Sequence, residues 1–85
     1  MRELQVKRVY RHFKGNYYFI EDIAKSSETK EDLVVYRALY GDDKQLWVRP
    51  LAMFMEEVDP QRSGNVTGQS NRFEYAEDIN KDYLK

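Results

Sequence analysis

The sequence predicts a mainly β domain. Short runs rich in Val, Ile, Tyr, Phe and Trp recur along 85 residues, and turn formers separate them. The longest of these runs, LVVYRALY (33–40), is followed by Gly41-Asp42-Asp43-Lys44 and then QLWVR (45–49), which is the pattern of a β-hairpin. Pro50 ends the second arm because it has no N–H for a ladder.

The elements follow in order. Residues 8–14, RVYRHFK, alternate and form a first strand, and Lys14-Gly15-Asn16 is a turn. A second strand, YYFIEDIA (17–24), carries an irregularity. Tyr18 and Ile20 share one face while Ile23 falls on the opposite parity, so a bulge at Glu21-Asp22 is needed to bring Ile23 back to the core. Residues 25–32, KSSETKED, are wholly polar and make a solvated loop. After the hairpin, Leu51, Phe54 and Met55 at i, i+3, i+4 predict one helical turn, with Pro50 preset for its first position. Glu56-Glu57-Val58 is expected as a short fifth strand.

Residues 59–71, DPQRSGNVTGQSN, read as turn and loop. In the end of the chain, Phe73-Glu74-Tyr75 alternates like a strand, while Phe73, Ala76, Ile79 and Tyr83 are spaced for a helix. The domain is drawn as residues 1–58, with 59–85 as a loop and a C-terminal segment. The preferred architecture is a small SH3-like antiparallel barrel with a single-turn helix before its last strand. An open antiparallel sheet backed by the C-terminal segment is the alternative.

Composition narrows the function classes. A chain this short has a thin stability margin, and with no cysteine its core must come from aliphatic and aromatic packing, for which twelve aromatics suffice. Cysteine-free composition fits a reducing cytoplasm, the first ten residues have no apolar signal-peptide core, and no run is long enough to span a bilayer. The net charge of −1 argues against a strongly basic nucleic-acid footprint. The charge is uneven, however. Residues 1–14 carry five basic residues against one acidic, whereas residues 56–85 carry four basic against seven acidic.

The elements YRHFKG (10–15), SET (27–29), VY (35–36), LYGD (39–42), WVRP (47–50) and MF (53–54) occur in that order. This series resembles the bacterial domain of unknown function 1653, over roughly residues 8–58. The resemblance implies a small β-rich domain and brings no activity with it. Where that family usually reads His-Ser-Glu-Thr, this chain has Ser26, so a proton-transfer or metal role for that loop position has no imidazole here.

Catalysis finds little support. His12 is the only histidine, which leaves no two-His metal site, and a structural role within its strand is the preferred reading. No phosphate loop or nucleophile motif is present, so no metal and no cofactor are expected. Trp47 and Arg49 share a strand face and form a platform for a planar or anionic ligand. The blander alternative, and the preferred one, puts Trp47 in the core with Arg49 clamping Glu28 at its rim.

If the faces of Tyr36, Tyr40, Tyr17 and Tyr18 converge with Arg11, Lys14, Arg37 and Arg49, a single-stranded nucleic-acid surface results. The chain is therefore read as a non-enzymatic cytoplasmic binding or accessory module for a protein or small-molecule partner, with single-stranded nucleic acid as the second reading. Its candidate face is Trp47 and Arg49, surrounded by Arg11, His12, Lys14, Ser27, Glu28, Thr29 and Tyr36. No membrane partner is expected, and an exposed edge strand would allow two copies to pair.

Overall fold

The computed structural model describes residues 3–41 and 45–83. The expected turn at Gly41-Asp42-Asp43-Lys44 lies, beyond Gly41, outside them. The elements are β1 (Val9–His12), β2 (Tyr17–Lys25), β3 (Asp32–Ala38), β4 (Leu46–Pro50), α1 (Leu51–Phe54), β5 (Phe73–Tyr75) and α2 (Glu77–Tyr83). The strands form one five-stranded sheet in the order β4-β3-β2-β1-β5, and the ladders are antiparallel.

The sheet is open, with β4 and β5 as its edges, so the expected barrel closure is not formed. A further correction concerns the fifth strand. Residues 56–58 contribute only an isolated bridge, Glu57 to Asn71, flanked by Val58 N–H to Ser70 O and Arg72 N–H to Glu56 O (each 2.9 Å). Glu56-Glu57 has poor β propensity, and the place beside β1 is taken by Phe73-Glu74-Tyr75.

β1 is also shorter than the alternation suggested. It ends at His12 because a tight turn follows, closed by Gly15 N–H to His12 O (2.8 Å) and His12 N–H to Asn16 O (2.9 Å), with Gly15 at φ +106°. β2 carries the bulge that its parity required. Ile20 pairs with Tyr36 and Asp22 with Val35, and the shift sets Ile23 opposite Val34, on the inner face. Pro50 closes β4 opposite Leu33 and takes the cap position of α1 rather than its first helical residue.

Register decides which side chains meet. Tyr10, Tyr18, Ile20, Val34, Tyr36, Phe73 and Tyr75 lie on one face, where α1 lays Phe54 across them. Phe54 and Phe73 stack in parallel, 3.9 Å apart and 4° from coplanar. Tyr10 and Tyr36 meet the Phe54 ring edge-on. Burial of each such ring contributes about 1.5–3 kcal/mol.

At the C-terminal end the strand and helix patterns are both realised in succession. β5 leaves the sheet at Ala76, and Asn80, on α2 and 1% exposed, continues its ladder. The Asn80 Oδ1 accepts from Val9 N–H (2.8 Å), and its Nδ2 donates to Val9 O (2.8 Å) and Ala76 O (2.9 Å). The side-chain amide thus gives the Val9 N–H its acceptor and adds a second donor to Val9 O and Ala76 O, which already accept from Ala76 N–H and Asn80 N–H.

Candidate functional site

Strand alternation divides the sequence-predicted residues into three groups. Trp47 pairs with Tyr36 and Arg49 with Val34, so both stand on the inner face, the face that also carries His12. Arg11 is opposite Tyr17 and Glu74 on the outer face. There its guanidinium lies 5.1 Å from the Tyr17 ring centre, and its Nε donates to Gly15 O (3.1 Å). Ser27, Glu28 and Thr29 form the β2–β3 turn, where the N–H groups of Glu28 and Thr29 point to Ser26 Oγ (3.3 and 3.2 Å). That turn sits at the Asp32 end of β3, away from Tyr36 and Ala38.

Trp47 is not a core residue. It is 49% exposed, because β4 is an edge strand and α1 covers the sheet nearer Phe54. Together with Tyr18, Tyr36, Ala38 and Tyr40 it lines an open cleft of about 160 Å³. The Tyr18 and Tyr40 hydroxyls hydrogen-bond to each other at 3.0 Å, and their rings meet at 90°. Tyr18 also meets Tyr36 edge-on, with centroids 5.6 Å apart. Burial, followed by the hydrogen bond with Tyr40, pushes the Tyr18 phenol upward, so it stays a neutral hydroxyl.

Arg49 borders this cluster through a long hydrogen bond from its Nε to the Tyr36 hydroxyl (3.4 Å). Among the described residues no ion pair joins Arg49 to Glu28, so the expected clamp is not formed. Nor do the four cations of the nucleic-acid reading converge. Arg37 pairs with Glu21 at 2.6 Å on the outer face, where Arg11 lies beside Tyr17, and of the four only Arg49 borders Tyr18, Tyr36 and Tyr40.

His12 lies between the rings of Phe13 (4.3 Å) and Phe73 (4.8 Å). Its Nδ1 accepts the Lys14 N–H at 3.0 Å, which leaves the ring proton on Nε2. Burial, and then the charges of Arg72, Lys14, Arg49 and Arg62, lower its pKa from 6.5 to about 4. Lys14 therefore belongs to this turn through both its backbone and its charge.

Two of these cations come from the chain after Val58: Arg62 from the segment read as turn and loop, and Arg72 from the start of the C-terminal segment. The Arg62 guanidinium sits 5.0 Å from the Phe13 ring centre and that of Arg72 6.0 Å, and Arg72 is ion-paired to Glu56. That pairing holds the Glu56 carboxyl below the usual carboxylate range. For Tyr18 and Tyr40 the parity of β2 and β3 was the available signal, whereas nothing local marked Arg62 or Arg72.

Tyr40 and Trp47 at the cleft are about half exposed, and Leu39, Leu46 and Val48 are exposed to a similar or greater degree, with Leu46 and Val48 on the opposite face of the sheet. No helix among the described residues is long and apolar enough to cross a membrane.

The family DUF1653, described as a protein of unknown function, matches residues 8–75. The crystal structure of a DUF1653 protein from Bordetella bronchiseptica is similar, with 34% identity and a TM-score of 0.70 over 89% of this chain and 91% of that one. No curated protein matches.

Proposed function

We propose that this chain, which belongs to the DUF1653 family, is a cytoplasmic binding module that holds a flat group of a protein or small-molecule partner in the Tyr18–Tyr36–Tyr40–Trp47 cleft. The observation that carries this reading is the placement of Trp47. A small domain gains most stability by burying its single Trp, yet this one is half exposed beside Tyr40 over an aromatic floor. Contiguous exposed apolar side chains of this kind mark contact surfaces.

Aromatic-lined grooves suit extended, proline-bearing peptides, whose ring lies flat between the walls. The strand order supports an SH3-like reading of the sheet, since the last strand returns beside the first and a helical turn precedes it. Arg49, at the inner end, supplies one charge-assisted donor for a carbonyl or an anionic group. Stacking of a nucleobase in the same cleft is the second reading. It is favoured by the three tyrosines and disfavoured by the scattering of Arg11 and Arg37 onto the other face.

The test is an amide-resolved NMR titration of the full chain with proline-rich peptides and, separately, with short mixed single-stranded oligonucleotides at low and moderate salt. Peptide-induced shifts at Tyr18, Tyr36, Tyr40 and Trp47 support the first reading. Salt-sensitive oligonucleotide shifts at these residues and at Arg49 support the second. Shifts confined to other surfaces in both series remove the cleft from consideration.

A further inference from the structure

We infer that a second groove, at the far end of the sheet from the aromatic cleft, receives a basic amphipathic peptide segment. The groove lies between the β2 bulge and α1 and encloses about 1100 Å³, at the top of the size range of binding clefts. Its floor is apolar: Leu4, Ile23, Leu51, Ala52 and Met55. The bulge creates this floor by returning Ile23 to the inner face, where it remains 37% exposed rather than covered.

Its rim is acidic. Glu3, Glu31, Asp32 and Glu57 line the groove, and none of its described lining residues is basic. Asp32 has a partner in Lys25 (2.9 Å), whereas no ion pair among the described residues engages the Glu3, Glu31 or Glu57 carboxylates. An apolar trough between carboxylates, three of them without an ion pair among the described residues, complements one chemistry in particular, apolar side chains inserted downward with Lys or Arg reaching sideways. A bare cation or polyamine would leave the floor in water. An anionic lipid surface would be repelled by the rim. A second copy of this chain would bring a net charge of −1 and the same acidic rim.

The test uses the full chain and a fluorescent amphipathic Lys/Leu peptide, with a Glu/Leu peptide of the same pattern and a scrambled Lys/Leu peptide as controls. Anisotropy is expected to show saturable binding of the amphipathic Lys/Leu peptide alone. The binding should weaken as salt rises from about 20 mM to about 500 mM. Amide shifts should map to Ile23, Ala52, Met55 and Glu57. The double variant Glu31→Gln, Glu57→Gln changes only exposed side chains, and it should lower affinity about five- to tenfold while leaving thermal stability unchanged.

Equal binding of the Glu/Leu or scrambled peptide overturns the inference, as does full affinity in the double variant. Shifts confined to Tyr40 and Trp47 do the same by assigning the peptide to the aromatic cleft. Concentration-dependent shifts at the groove residues without peptide would give it to a second copy instead.

Discussion

Trp47 and Tyr36 face each other across the β3–β4 ladder on the same side of the sheet, yet Tyr36 is 7% exposed and Trp47 49%. One ring belongs to the packed interior and the other to the surface, although both obey the same alternation.

This asymmetry predicts opposite mutational profiles. Tyr36→Ala removes a ring wedged against Phe54 and Phe73 and is expected to cost about 3–5 kcal/mol. Trp47→Ala should cost about 1 kcal/mol or less and abolish binding at the cleft. Urea unfolding separates the two, and comparable losses of stability would show that Trp47 is a packing residue after all.

The buried His12 predicts a specific pH response. Its folded pKa near 4 lies below the ordinary 6.5, so the unfolded chain takes up the proton first as pH falls. Stability is therefore full above 6.5 and declines as pH drops from 6.5 through 4. Glu56, held below its usual range by Arg72, is lost in a lower window, below 4.5. In His12→Gln the slope between 6.5 and 4.5 should flatten while the more acidic loss persists. Denaturation midpoints measured across this range check both windows.

Asn80 predicts a large effect from a small change. Asn80→Ala leaves the Val9 N–H without its acceptor and removes two donated bonds, for an expected loss of about 2–4 kcal/mol. Asn80→Asp keeps the acceptor but sets a carboxylate against two carbonyl oxygens, and it should be no better. Thermal melts of both variants, read alongside the exposed Asp78→Ala as a control, test this.

Gly15 predicts a backbone effect. At φ +106° an L side chain is strained, and an added Cβ would lie 3.4 Å from the Val66 Cγ2, so Gly15→Ala is expected to cost about 1–3 kcal/mol. The same substitution at Gly64 also meets a positive φ but touches nothing within 4 Å. Because 3.4 Å is an ordinary contact, the cost at both positions is expected to come from the positive φ, and thermal melts of the two variants compare φ +106° at Gly15 with φ +88° at Gly64.

Features that depend on neighbours in sequence were legible from the chain itself. The parity of Ile23 exposed the β2 bulge, and the spacing of Leu51, Phe54 and Met55 marked α1. Parity also assigns Trp47 and Arg49 a common face, but it carries no depth: whether a ring is covered depends on what lies beyond an edge strand. Long-range pairing was not legible. Nothing near Glu56–Val58 reveals that Phe73–Tyr75 claims β1, and closure of a sheet depends on registers that local propensity does not set. The proposed site divided for a plainer reason, since the alternation of β1 already places Arg11 and His12 on opposite faces.

The Val9–Asn80 bonds join positions 71 apart in the chain, whereas β1 to β4 form a meander of neighbours. The entropy of closing so long a loop falls on the last ladder alone. The meander is thus the part expected to assemble first, with β5 and Asn80 expected to dock after the rate-limiting step. Substitutions at Asn80 should then speed unfolding and leave the refolding rate nearly unchanged, so the C-terminal clasp governs how long the folded state lasts rather than how fast it is reached.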